Sequence, residues 1–302
     1  MRNRGDSDEV VMTQFIGGQS LQKSYLHADT DGVGALYRNF SEQGLQDIQI
    51  KGLGSSQKIP ALKRFTHFLS AFKKIKAHAV HWPLREIPLD KSPFFYLLFS
   101  EQETAALQNY CKNKKINLRV LLLFHFHSYF NKWLATPCKQ GSWLLPVSIR
   151  RPDQASTYEN LASYFILPIS EDENIEAVNE KFRREIKSGA YWGNYWLLVL
   201  FSLLGRRFVY WIGKQNARRG SYMGTISDIG EWSFTHPQKD LQEQLWASAP
   251  PASTPYPIGV SKLIINGKMS VGIRINRRIK TPDHAEIEAD LRRLKSKLLE
   301  MT

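Results

Sequence analysis

His27, Asp31 and Gly32 are the residues of this chain whose types and spacing most directly suggest chemistry. They stand in the order His-x-x-x-Asp-Gly within Ser24-Tyr25-Leu26-His27-Ala28-Asp29-Thr30-Asp31-Gly32-Val33-Gly34. A neutral imidazole near pH 7 can take a proton from a hydroxyl, an amine or a thiol. An aspartate four residues on can fix the loop or the ring without touching a substrate. A glycine after it permits a backbone angle or a close approach that a side chain would forbid. The plainer reading of the same residues is a strand, a turn and a helix carrying an ordinary surface histidine.

The elements that must position these residues are short. Residues 20–26 read as a strand leading into the turn, and residues 33–42 as a helix leaving it. Residues 10–19 are mixed and carry Gly17-Gly18, which predicts a turn before that strand. Residues 45–60, rich in glycine and serine, read as a loop. Residues 61–79 place Leu62, Phe65, Phe68, Leu69, Phe72 and Ile75 at helical spacing with lysines between them, the pattern of an amphipathic helix. Residues 81–93 hold three prolines and read as a linker. A boundary there divides the chain into units 1–90 and 91–302.

Beyond the linker, residues 94–99 read as an aromatic strand. Ser100 with Glu103 forms a capping box for the next helix. Asn117 opens an apolar helix over residues 118–135, ended by Thr136-Pro137. Residues 143–149 and 161–169 are strand-like. Ser170 with Glu173 predicts a second capping box, opening a helix that reaches Lys187. Residues 222–226, 261–265 and 268–275 read as strands, and residues 247–257, with four prolines, as a loop. Residues 283–301 place Ile287, Leu291, Leu294 and Leu298 on one helical face. Strands and helices mix without strict alternation, which predicts an α/β architecture with a mixed sheet.

Composition narrows the function classes. A chain of 302 residues suits one large domain or two joined halves, and 42% hydrophobic residues, with 8 Trp, 12 Tyr and 16 Phe, can fill a core. Whole-chain disorder is excluded. Cys111 and Cys138 make no disulfide framework and fit a reducing compartment. Residues 1–10 are polar and show no signal peptide, so a cytoplasmic protein is expected. His125 and His127 would diverge on a helix and have no third ligand nearby, so no metal is expected.

The net charge of +13 favours anionic partners, such as CoA phosphates, an acidic carrier protein or anionic lipid. The basic residues are dispersed in pairs without a nucleic-acid motif, which disfavours nucleic acid. Residues 194–205 form an apolar run flanked by Trp192 and Arg206-Arg207. The run is too short for about 30 Å of hydrocarbon. It reads as a buried helix or as a surface helix that meets lipid, which leaves peripheral membrane contact open.

The turn at His27 resembles the active-site signature of the CoA-dependent acyltransferase superfamily. That group includes chloramphenicol acetyltransferase, plant alcohol acyltransferases, wax ester synthase/diacylglycerol acyltransferases and the condensation domains of peptide synthetases. Three later segments add to the resemblance. Ile116-Asn117-Leu118 leads into a long apolar helix much as the second lobe opens in these enzymes. Pro146-Val147-Ser148-Ile149-Arg150, then Glu159-Asn160 and Leu167-Pro168, looks like the "P-V-S-x-R … G-N … L-P" stretch of wax ester synthases and condensation-like proteins. Ser227-Asp228-Ile229-Gly230 sits where that family places a Ser-Asn-x-x-Gly turn. The chain departs from the pattern at Leu26, where many members carry a first histidine. It departs again at Arg119, where wax ester synthases have aspartate, and at Glu159, where a glycine is usual.

The resemblance implies a chloramphenicol acetyltransferase-like mixed-sheet sandwich. Residues 91–302 would form a complete second lobe. Residues 1–90 would be a remnant of a first lobe largely missing, for which a partner subunit could stand in. That absent part often supplies the arginine that pairs with the motif aspartate. The implied reaction is acyl transfer from a thioester to a hydroxyl or amine. His27 would be general base and Asp31 structural. Ser227, Asp228, Gly230, Asn160 and Arg150 would lie at the substrate or the lobe interface. Acyl-CoA or an acyl carrier protein would bring the thioester as substrate, and no bound cofactor is implied. Two alternatives stand beside this: a condensation-type protein using carrier-bound thioesters, and a non-catalytic scaffold that kept the fold.

Overall fold

The computed structural model describes residues 9–16, 18–27, 29–45, 48–51, 66–69, 79–150, 154, 157–205, 221–234 and 244–302. In chain order the elements are β1 (Glu9–Ile16), β2 (Gln19–Leu26), α1 (Gly32–Glu42), β3 (Ile48–Lys51), β4 (Phe94–Leu98), α2 (Glu101–Lys114), α3 (Leu118–Asn131) and β5 (Gln140–Ser148). There follow β6 (Ala162–Ser170), α4 (Ile175–Ser188), α5 (Tyr191–Leu203), β7 (Gly224–Phe234), β8 (Leu245–Ala249), β9 (Ile258–Ile265), β10 (Lys268–Ile275) and α6 (His284–Glu300).

The main sheet runs β4-β10-β9-β7-β5-β6, with β3 added antiparallel to β7. It is mixed: β7 runs parallel to both β5 and β9, and the other pairs are antiparallel. At its centre, β9 is buried at every position. A strand covered on both faces needs no polar alternation, and its sequence Ile-Gly-Val-Ser-Lys-Leu-Ile-Ile shows little. Val260 and Ile264 point into a large core shared with α2, α3, α4 and α6. Leu263 and Ile265 point into a smaller core with α1, β1 and the end of β7. A second sheet, β2-β1-β8, lies on the side of that smaller core. It ties residues 9–26 to residues 245–249, so the strands before position 90 are interleaved with those after it.

One irregularity in β7 decides which side chains reach the small core. Asp228 pairs with Lys262, but Glu231 pairs with Ile264, so β7 carries one extra residue across that interval. A slip of one residue turns every later side chain to the other face. Ile226 therefore joins the large core, while Ile229, Trp232 and Phe234 join the small one. Gly230 takes φ of +94° inside the bulge, the left-handed region that glycine enters at little cost.

Several expectations are corrected. Residues 10–19 are mostly strand: β1 is a run of Val, Met, Thr and Gln buried between β2 and β8, and the turn at Gly18 is only its end. The expected turn at residues 227–230 is the bulge inside a continuous β7. Ser170 ends β6 and caps no helix. Its N–H is met by Glu173 Oε2 at 2.9 Å, but α4 starts five residues later, capped by Asn174, whose side chain accepts from Ala177 N at 2.9 Å. The helix expected over 118–135 ends at Asn131. The loop at 247–257 is shortened by β8, and the loop at 45–60 by β3. The expected helix at 61–79 lies outside the described residues apart from 66–69, which are helical. The capping box at Ser100 and Glu103 is present, as is the Asn117 cap.

Candidate active site

The turn after β2 is built from short-range bonds that follow from its residue types. Leu26 O accepts from Asp29 N at 3.1 Å and Thr30 N at 3.2 Å. His27 is half-buried there, with Nδ1 3.2 Å from Thr30 O. A carbonyl oxygen can only accept, so Nδ1 carries the proton and Nε2 of the neutral ring keeps its lone pair. That is the tautomer a general base acting through Nε2 needs.

Asp31 holds the turn to the rest of the molecule. One carboxylate oxygen caps α1 by accepting from Gly34 N at 2.9 Å. The other accepts from Arg150 Nη1 at 2.5 Å and from Leu161 N at 3.0 Å. Both partners of the ion pair are buried, with side chains 1% and 7% exposed. Arg150 Nη2 donates to Glu159 O at 2.5 Å, and Asn160 Nδ2 donates to His27 O at 2.9 Å. The segment after β5 thus closes over the His27 turn through Arg150, Asn160 and the Leu161 amide, of which the sequence pattern had singled out the first two. The arginine that pairs with Asp31 comes from this chain, from just after β5.

Two glycines let α1 sit this close. A Cβ at Gly32 would lie 2.4 Å from Ile229 Cδ1, and one at Gly34 would lie 2.6 Å from Tyr158 O. Gly32 was expected to matter; Gly34, which meets backbone, is the tighter position, and only the tertiary contact reveals it. Ser227 and Asp228 approach the same region from β7. Asp228 Oδ1 accepts from Gly230 N at 3.0 Å and pairs with Lys262 Nζ at 2.9 Å, which braces the bulge that turns Ile229 toward Gly32. Ser227 is half-buried opposite Ser261.

Behind the turn, the sheet opens. β5 and β7 pair only at Trp143–Gly224 and Leu144–Thr225 and then part. The Arg119 guanidinium, from the first turn of α3, bridges the split: Nη2 donates to Pro146 O at 2.8 Å, and Nε and Nη2 donate to Ile226 O at 3.1 and 2.5 Å. In an extended strand a residue's N–H and C=O point the same way, so the missing N–H of Pro146 falls at the split, where no ladder donor is needed. Burial pushes the Arg119 guanidinium down to about 10, against the pull of Asp228. The sequence marked Arg119 only as a departure from a family pattern. His127, also on α3, is buried and accepts from Trp143 Nε1 at 3.2 Å.

Neither a protein-family model nor a characterised relative matches the sequence. Solved structures do. The epimerization domain from the third module of tyrocidine synthetase B is 15% identical, with a TM-score of 0.57 over 93% of this chain and 68% of that one. The trichothecene 15-O-acetyltransferase from Fusarium sporotrichioides is 10% identical, with a TM-score of 0.60 over 93% and 66%. The cyclization-docking bidomain of the EpoB peptide synthetase from Sorangium cellulosum is 11% identical, with a TM-score of 0.58 over 93% and 60%. This chain has the condensation-domain and acyltransferase fold. It spans 60% to 68% of the length of these three structures. At such identities the likeness is one of fold, and any chemistry must be argued from the site. In this fold the His27 turn, the Arg150 segment and the split between β5 and β7 meet in one place.

Proposed function

We propose that the protein transfers an acyl group from a thioester to a hydroxyl or amine, with His27 as general base. The observation that carries this reading is the Nδ1–H to Thr30 O bond, which leaves Nε2 as the acceptor on a turn locked by Asp31, Arg150 and Asn160. Nε2 takes the acceptor's proton as its oxygen or nitrogen attacks the thioester carbonyl. The carbonyl π electrons move onto oxygen, forming a tetrahedral oxyanion. Ser227, on the half-buried stretch of β7, is the proposed donor to that oxyanion. Collapse breaks the carbon–sulfur bond, and the thiolate recovers the proton from Nε2. Asp31 and Arg150 take no part in the proton transfer; they hold the ring where it acts.

The net charge of +13 suits either thioester carrier, the phosphates of CoA or an acidic carrier protein. Carrier-bound thioesters are the second reading, supported by the fold shared with peptide-synthetase domains. A partner chain completing the site remains part of the proposal.

The test is thiol release from acyl-CoA and from acyl-carrier thioesters, across a panel of hydroxyl and amine acceptors. His27→Ala should lower turnover about 100-fold or more while leaving the unfolding transition in place. Turnover equal to the parent's would remove His27 as base. A chain that consumes no thioester from either carrier would be read as a scaffold.

A further inference from the structure

The most apolar of the described helices, α5, carries exposed large hydrophobic side chains. Trp196 is 39% exposed, Leu203 78% and Leu204 54%. With half-buried Leu200 between them, they stand at positions i, i+4, i+7 and i+8, a single stripe along the helix. The helix ends at Leu203, and Gly205, with φ of +88°, turns the chain away just after Leu204 and leaves the two leucines at its tip. The inner side of α5 is anchored elsewhere: Asn194 Nδ2 donates to Tyr164 O on β6 at 2.7 Å, and Tyr191 and Leu197 are buried. The exposed stripe therefore lies away from β6, toward the end of the helix beyond Gly193, whose side of α5 meets the backbone at His67.

The sequence on either side of it is one-sided in charge. From Lys187 to Ser227 the chain has six cations, Lys187, Arg206, Arg207, Lys214, Arg218 and Arg219, and no aspartate or glutamate. No described helix is long and apolar enough to cross a membrane, and at 13 residues α5 is about 20 Å long. A helix that is too short to span, apolar on its outward stripe, bearing tryptophan and set in a carboxylate-free basic stretch has the chemistry of an interfacial anchor.

We propose that the outer stripe of α5, Trp196, Leu200, Leu203 and Leu204, docks the protein onto an anionic lipid surface. The leucine tip enters the acyl boundary, Trp196 sits at headgroup level, and the basic character of the flanking sequence favours anionic headgroups. This stands apart from the thioester reading, since the stripe contains none of the residues assigned to transfer.

The test is co-sedimentation of the full chain with vesicles of phosphatidylcholine alone and of phosphatidylcholine with phosphatidylglycerol, at low and high salt. Binding should require phosphatidylglycerol and weaken with salt. Leu203→Ser/Leu204→Ser should weaken it about tenfold or more, since both side chains are exposed in the free protein and lose apolar burial only on the vesicle. Leu203→Glu provides a second variant with the same expectation. Leu21→Ser, an exposed leucine on β2, should leave binding unchanged. Three results would overturn the proposal: no binding to anionic vesicles, binding unmoved by both tip variants, or salt-sensitive binding to a DNA duplex in preference to vesicles. Thiol release is measured on the same variants, and its loss or retention leaves the lipid result to stand by itself.

Discussion

Asp31 shows why a motif residue can be indispensable without chemistry of its own. Its carboxylate ends three separate needs: the first turn of α1, the Leu161 amide and the Arg150 charge. Asn could still cap α1 through its carbonyl oxygen, but its amide nitrogen would face the Leu161 N–H donor to donor and leave Arg150 buried without its counter-charge. Asp31→Asn is therefore expected to cost about 3–5 kcal/mol in chemical unfolding, well beyond the cost of a lost helix cap. If the loss stayed within about 1 kcal/mol, the ion pair would be incidental to the turn. His27 depends on the same lock through Asn160, so its geometry is a consequence of residues more than a hundred positions away.

At the scale of elements, the site rests on a close approach between the start of α1 and the bulged part of β7. Gly32 faces Ile229, which is buried beside Trp232 in the small core. Gly32→Ala forces the Ile229 side chain out of its place and should cost about 1–3 kcal/mol. Because the clash is with the end of one side chain, Gly32→Ala combined with Ile229→Ala should cost less than the two changes summed. Additive losses in urea unfolding would mean that some other contact sets the requirement for glycine. Arg119 performs the matching task on the other face of the sheet, where its planar guanidinium meets two carbonyls that a diverging pair of strands leaves without ladder partners.

For the whole molecule, acid stability is set in part by one core histidine. Burial lowers His127 to about 4, against the pull of Glu173, and protonation would also break the bond from Trp143. The unfolded chain takes up this proton near pH 6.5, the folded chain only near 4. Between those values the unfolded state binds more protons, so stability falls as pH drops and levels off below 4. The full loss from this group is about 3 kcal/mol. His127→Gln should flatten the pH dependence of the unfolding free energy over that window; an unchanged slope would assign the acid sensitivity to carboxylates. Topology also couples the two ends of the chain: β1 pairs with β8 across most of its length, so the small core closes only when both are in place.

The sequence by itself determined what local forces decide. The strand into the His27 turn, the helix out of it, the caps at Ser100 and Asn117, the alternating strand at 268–275 and the terminal helix all follow from spacing and cap chemistry within a few residues. The order of the singled-out residues also indicated the fold class. Tertiary structure decided what depends on distant neighbours. β1 was misread because a strand buried on both faces has no alternation to detect. Ser170 offered the right residue types for a cap, but pairing with Gln140 kept it in a strand. The union of Asp31 with Arg150, the need for glycine at position 34 and the wedge at Arg119 are contacts between segments far apart in the chain. No local pattern encodes them, because each exists only once the sheet has brought those segments together.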